Sequence, residues 1–195
     1  EEYNGSTWSE ETNYPTEISA GGACGTLTAG LVFGGTGTPP SPYYSACQEY
    51  NGASWTAGGS LNTARSNMAS AGTQTAGLTA GGSPGAGAVA ETLEYDGSTW
   101  TDTNDLGTAR YGAGTGGIQT AGLQVGGNDP GGAKSEVEEY NGSTWTEVTN
   151  TPGAKYKVAL MGTQTAMLCH SEEVVAIEYD GTSWTAGTNS PESIA

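Results

Sequence analysis

Short apolar runs alternate along this chain with clusters of Gly, Asn, Asp, Ser and Thr. Around Asp96-Gly97 the pattern is that of a hairpin, with Leu93 and Tyr95 before the turn and Trp100 after it. Asn-Gly or Asp-Gly between two short strands favours a two-residue turn in which both residues take positive φ, because its twist suits the flanking strands. Such a turn predicts Tyr95 facing Ser98 and Trp100 opposite Leu93, with Tyr95 and Trp100 on the same side of the sheet. Upstream, the stretch from Met68 to Gly82 predicts a second hairpin turning near Thr73-Gln74. Its glycines and alanines suit crowded inner strands where a large side chain finds no room.

This two-hairpin pattern recurs. One heptapeptide reads Glu2-Tyr3-Asn-Gly-Ser-Thr-Trp8, then Glu49-Tyr50-Asn-Gly-Ala-Ser-Trp55, Glu94-Tyr95-Asp-Gly-Ser-Thr-Trp100, Glu139-Tyr140-Asn-Gly-Ser-Thr-Trp145 and Glu178-Tyr179-Asp-Gly-Thr-Ser-Trp184. Its tryptophans are 47, 45, 45 and 39 residues apart. A second motif keeps the same phase: Thr28-Ala-Gly-Leu-Val-Phe-Gly-Gly35, Thr75-Ala-Gly-Leu-Thr-Ala-Gly-Gly82 and Thr120-Ala-Gly-Leu-Gln-Val-Gly-Gly127, with a decayed copy at Thr165-Ala-Met-Leu-Cys-His-Ser-Glu172. Two motifs in fixed phase define a unit of four strands, a to d. A lone four-stranded sheet leaves a face unburied; stacking such sheets buries it, and rolling the stack into a ring gives a β-propeller. The expected fold is therefore all-β, one array over 1–195: a half-blade with strands c and d at 1–18, blades at 19–65, 66–110 and 111–155, and a degenerate blade at 156–195. That makes four blades and a half, and reads as part of a larger ring in a longer protein. The start at Glu1 rather than Met points the same way.

Composition narrows the function. With 33 Gly and only 13% charged residues the chain approaches a disordered composition, but five Trp and ten Tyr at regular spacing argue for packed strands. Its net charge is −16, and the cations are Arg65, Arg110, Lys134, Lys155 and Lys157. Nucleic acid and anionic lipid would be repelled, since phosphate binding needs a basic stripe. No apolar run is long enough to span a bilayer as a helix. The three cysteines, Cys24, Cys47 and Cys169, lack metal-ligand spacing, and Cys24 and Cys47 fall two strands apart in one unit, too far for a disulfide. Buried free thiols are expected.

The order inner strand, Gly-Gly, variable loop, Glu-Tyr-Asx, Trp and a closing basic residue (Arg65, Arg110, Lys155) resembles the kelch repeat over nearly the whole chain. More narrowly, Gly72-Thr-Gln-Thr-Ala-Gly-Leu78 and Glu139-Tyr-Asn-Gly-Ser-Thr-Trp-Thr146 are similar to kelch-like repeats in virion proteins of marine and cyanobacterial phages. The resemblance implies a place in a tail fibre, adhesin or surface decoration, on the virion surface or otherwise extracellular. Four and a half blades depart from the six or seven usual in kelch propellers.

Candidate chemistry is sparse. Copper oxidases of the kelch group need histidines, whereas His170 stands alone beside Cys169 on one strand, where alternation sends the two to opposite faces. Propeller sialidases place their repeated acid in another register and use three arginines. The five repeated glutamates are spread one per blade, too far apart for a calcium cage, and are expected to bond backbone or hydroxyl groups between blades or to pair with Arg65 or Arg110. No catalytic residue, metal or cofactor is assigned. Repeated turns serve the fold, and the varied b–c and d–a joints emerge together at the other end, free to recognise a ligand. The candidates there are Tyr43 and Tyr44 in the loop Thr36 to Tyr44, Asp129 in Asn128 to Gly132, and Tyr111 and Tyr156 just after the d–a joints. Expected is a non-enzymatic virion structural protein, part of a larger assembly, that binds a host-surface glycan or another virion protein. A bacterial secreted or cell-surface adhesion propeller is the alternative, and a propeller enzyme ranks last.

Overall fold

A computed structural model describes residues 1–38, 43–171 and 176–187. The segment Pro39 to Pro42 of the first variable loop, Glu172 of the decayed motif and the predicted strand end near Ile194 lie outside the described residues. Among the described residues there is no helix, and every sheet is a small antiparallel one of two to four strands.

The half-unit forms one hairpin, β1 (Glu2–Tyr3) and β2 (Trp8–Ser9). The first complete unit has β3 (Gly22–Thr26), β4 (Ala29–Phe33), β5 (Cys47–Tyr50) and β6 (Trp55–Ala57), and the second β7 (Ala69–Thr73), β8 (Ala76–Ala80), β9 (Thr92–Tyr95) and β10 (Trp100–Asp102). The third has β11 (Gly114–Ile118) and β12 (Ala121–Val125), a two-residue pair β13 (Asn128–Asp129) and β14 (Gly132–Ala133), then β15 (Val137–Tyr140) and β16 (Trp145–Glu147). The fourth has β17 (Ala159–Thr163), β18 (Ala166–His170), β19 (Ile177–Tyr179) and β20 (Trp184–Ala186). Each complete unit is one sheet whose four main strands pair in chain order. The first strands β3, β7, β11 and β17 lie side by side from one unit to the next. Cys24 and Cys47 do stand two strands apart, and all three thiols are free, Cys24 only half-buried.

The repeated c–d hairpin departs from the expected register. Trp100 pairs with Tyr95, not Leu93, and the other four Tyr and Trp positions pair the same way. The cause is the side chain that opens the turn. Asp96 Oδ1 accepts the N–H groups of Ser98 and Thr99, both at 2.8 Å, and Asn4, Asn51, Asn141 and Asp180 do the same in their copies. This side-chain cap replaces a backbone bond and moves the bend one residue onward. Only the glycine takes positive φ, between 87° and 94° in the five copies. Tyr and Trp still share a side, now as direct partners with ring centroids 4.8–5.1 Å apart. The other departure is the hairpin β13–β14 inside a stretch expected to be irregular: Asp129 Oδ1 holds the Gly131 N–H at 2.7 Å and closes the bend at Pro130-Gly131.

The core lies between successive sheets. One apolar cluster joins Leu31, Phe33 and Cys47 of the first unit to Leu93, Tyr95 and Trp100 of the second; another joins Leu123, Val125 and Val137 of the third to Met167, Cys169, Ile177 and Tyr179 of the fourth. Three polar contacts recur at these junctions. The Tyr95 hydroxyl donates to Glu49 (2.5 Å), Tyr140 to Glu94 (2.9 Å) and Tyr179 to Glu139 (2.9 Å), so three of the repeated glutamates hold the phenol of the following unit. Glu2, beside the Tyr50 hydroxyl, pushes that phenol up to about 12. The amides of Gln74, Gln119 and Gln164 each donate to two carbonyls of the unit before: Gly30 and Tyr50, Gly77 and Tyr95, Gly122 and Tyr140. The repeated glutamates do not pair with the arginines. Arg65 meets Glu91 at 3.2 Å, and Arg110 meets the buried Glu138 at 2.5 Å.

Candidate functional site

The b–c loops and d–a joints meet at the end of the sheets opposite the repeated turns, as antiparallel strand order requires. Backbone bonds fix them to each other: Tyr111 and Asn128 exchange N–H···O bonds of 2.9 and 2.8 Å, tying the joint into the third unit to that unit's own variable loop. Here Tyr111 and Tyr156, each three residues before an inner strand, come into edge-to-face contact, with centroids 6.2 Å apart and planes at 89°. Asn128 Nδ2 reaches the Tyr111 hydroxyl at 3.4 Å, and Lys157 Nζ lies 5.7 Å above the Tyr156 ring. Next along the loop, Asp129 accepts from Lys134 at 2.8 Å. The hydrogen bond from Lys134 holds the Asp129 carboxyl below its ordinary range.

The structure thus joins Tyr111 to Tyr156 and sets Asp129 in the variable loop, next to the Asn128 that bonds Tyr111. Tyr43 and Tyr44 have other neighbours. The half-exposed Tyr43 ring covers Gly85 in the next unit's loop, and a Cβ on Gly85 would stand 2.8 Å from it. Tyr44 folds back over Gly37 of its own loop, and its backbone bonds Gly35 and Arg65.

Two features of this end escape a reading of the sequence. The first is a series of left-handed residues at the unit starts: Ala20 (φ 54°), Asn67 (54°), Gly112 (62°) and Lys157 (53°). Asn67 N–H donates to Ala20 C=O, Gly112 to Asn67 and Lys157 to Gly112, at 2.8, 2.8 and 3.0 Å, so one backbone bond passes each unit to the next. Asn and Gly are natural at such φ; Ala20 and Lys157 give no hint of it and are held there by these bonds. The second feature is the placement of positive charge. Arg65, Arg110 and Lys155 are buried; of the cations that reach solvent, Lys157 lies over the Tyr156 ring and Lys134 is paired with Asp129. The charge count alone does not separate buried from exposed cations. Two phenol rings at right angles, with the Asn128 carboxamide at one hydroxyl and the Lys157 ammonium over one face, offer flat apolar surface with hydrogen-bonding edges, suited to a ring-shaped polar ligand.

No protein-family model matches this chain, and no curated protein matches it.

Proposed function

We propose that this chain is a kelch-like β-propeller array serving as a non-enzymatic virion structural protein of a phage, in a tail fibre, adhesin or surface decoration. Its loop face meets a host-surface glycan or another virion protein. The arrangement of the sheets supports the propeller: four-stranded units follow one another with their first strands adjacent and their apolar surface between them. The observation that carries the recognition role is the Tyr111–Tyr156 contact with Lys157 over one ring, an aromatic and cationic spot on a chain of net charge −16. Sugars stack their C–H faces on phenol rings, and a carboxylated or sulfated sugar would meet the Lys157 ammonium at the rim of the Tyr156 ring.

The test is binding of the 195-residue chain to an array of bacterial surface glycans. Binding is expected, with the strongest signals from acidic saccharides and loss in a Tyr111→Ala/Tyr156→Ala variant. No binding to any glycan would leave the purely structural role, and binding that survives the double substitution would move the site elsewhere.

A further inference from the structure

The c–d turns share one geometry but not one opening residue. Asn51 and Asn141 open the turn in the first and third complete units, Asp96 and Asp180 in the second and fourth, and all four are exposed. Each precedes a glycine whose φ lies between 87° and 92°. In every case Oδ1 accepts two backbone N–H groups: Asn51 from Ala53 (3.0 Å) and Ser54 (2.9 Å), Asn141 from Ser143 and Thr144 (both 2.9 Å), as Asp96 does from Ser98 and Thr99. Two donors on one atom identify it as the oxygen of the amide. The second terminal atom meets a hydroxyl that serves either residue. Thr144 Oγ1 accepts from Asn141 Nδ2 at 3.2 Å, whereas the hydroxyls of Thr99 and Ser183 donate to Asp96 Oδ2 and Asp180 Oδ2, both at 3.1 Å. The turn therefore takes a carboxylate in place of an amide by reversing one hydroxyl. It favours the charge too: the N–H groups of Thr99 and Ser98, and of Ser183 and Thr182, hold the Asp96 and Asp180 carboxyls below their ordinary range.

Asn-Gly is also the pair in which a side-chain amide is most open to its own backbone, since glycine has no Cβ to obstruct the approach. We propose that Asn51 and Asn141 are modification sites, at which the folded chain deamidates to aspartate in place. The only co-reactant is water. The Gly52 nitrogen loses its proton to solvent and bonds to Asn51 Cγ; the Cγ–Nδ2 bond breaks, and the amide group takes up a proton and leaves as ammonia. Water then opens the cyclic imide at one of two bonds. Attack at Cγ breaks the new bond to Gly52 and leaves aspartate with the main chain intact. Attack at the Asn51 main-chain carbonyl carbon breaks the original peptide bond and leaves isoaspartate, whose chain runs through Cγ. In the first route negative charge develops on Oδ1, where the N–H groups of Ala53 and Ser54 already point, and donors placed in this way lower the barrier. Isoaspartate lengthens the main chain by a methylene inside a tight turn and shortens the side chain that caps it. The same holds for Asn141 with Gly142, Ser143 and Thr144. Each conversion adds a negative charge at the turn end, opposite the Tyr111–Tyr156 cluster.

Incubation of the 195-residue chain in warm, mildly alkaline buffer, folded or in urea, followed by peptide mapping, tests this. Electron-transfer fragmentation separates aspartate from isoaspartate. Positions 51 and 141 are expected to convert in the folded chain with aspartate about tenfold over isoaspartate, the worth of one hydrogen bond to a developing charge. In urea that preference is expected to vanish, because the N–H groups no longer converge on Oδ1. An Asn51→Asp/Asn141→Asp chain is expected to unfold at the wild-type urea concentration and to elute with the fully converted chain on anion exchange. Either position staying unconverted in the folded chain, isoaspartate matching or exceeding aspartate there, the same preference in urea, or a lower urea midpoint for the double variant would each overturn the proposal.

Discussion

The turn between the first two strands has the same length in the first and second complete units, but Thr26-Leu27-Thr28 stands in one and Thr73-Gln74-Thr75 in the other. The hairpin forms equally well with either. Gln74 reaches back to two carbonyls of the first unit, whereas Leu27, facing a half-unit with only its last two strands, is 52% exposed. A second position tells the same story. Gly81 of the second unit has φ +71°, and a Cβ there would stand 2.3 Å from the Arg110 carbonyl; its counterpart in the fourth unit is Ser171, outside the left-handed region. These motif residues therefore belong to junctions rather than to single units.

Three substitutions sharpen that contrast. The largest effect is expected from Gly81→Ala, which meets both backbone strain and the Arg110 carbonyl and should cost about 3 kcal/mol in urea denaturation, while Ser171→Ala stays within about 0.5 kcal/mol. Next comes Gln119→Leu, which copies position 27 into a junction. It strips partners from the carbonyls of Gly77 and Tyr95 and should cost about 2 kcal/mol, whereas the reverse change Leu27→Gln leaves stability nearly unchanged. If both changes cost the same, the glutamine serves the turn and the contrast fails.

Smallest is Tyr140→Phe, which removes the hydroxyl shared with Glu94 and Thr103 and should cost about 1 kcal/mol at neutral pH. It also has a pH signature. Burial, with the Glu94 carboxylate adding to it, pushes the Tyr140 phenol up to about 12, and burial pushes the thiols of Cys47 and Cys169 up to about 11. Groups whose folded pKa is raised hold their full contribution below the unfolded value, about 9 for thiols and 10 for phenols, and lose it as pH rises through the folded one. Stability is therefore expected to be level up to about pH 9 and to fall from there to 12. Tyr140→Phe should make that fall shallower above pH 10. An unaltered slope would mean that Tyr140 ionises as freely folded as unfolded.

Much of the architecture was readable because two periods coincide: Asx-Gly hairpins and Ala-Gly-Leu strands return in phase, and the placement of both hairpins and their order in each sheet follow. The contact between Tyr111 and Tyr156 was half visible for the same reason, since equivalent positions of successive units must be neighbours. The turn register was not readable, because Asp96 and its four counterparts act as acceptors for the backbone rather than as residues of positive φ. Ala20 and Lys157 were opaque too. Their backbone shape is imposed by bonds to another unit, and no local preference of Ala or Lys announces it. The extra hairpin at Asn128 to Ala133 depended on the Asp129 side chain closing the bend, a choice that Asp-Pro-Gly-Gly permits without requiring.

The hand-off from each glutamate to the next unit's tyrosine has a consequence for how such an array changes length. Because every complete unit carries both the donor and the acceptor, copying one unit in register supplies its junction at the same stroke. Gain or loss of whole units by recombination then needs no new contact to arise, while the loops that ride on each unit stay free to diverge.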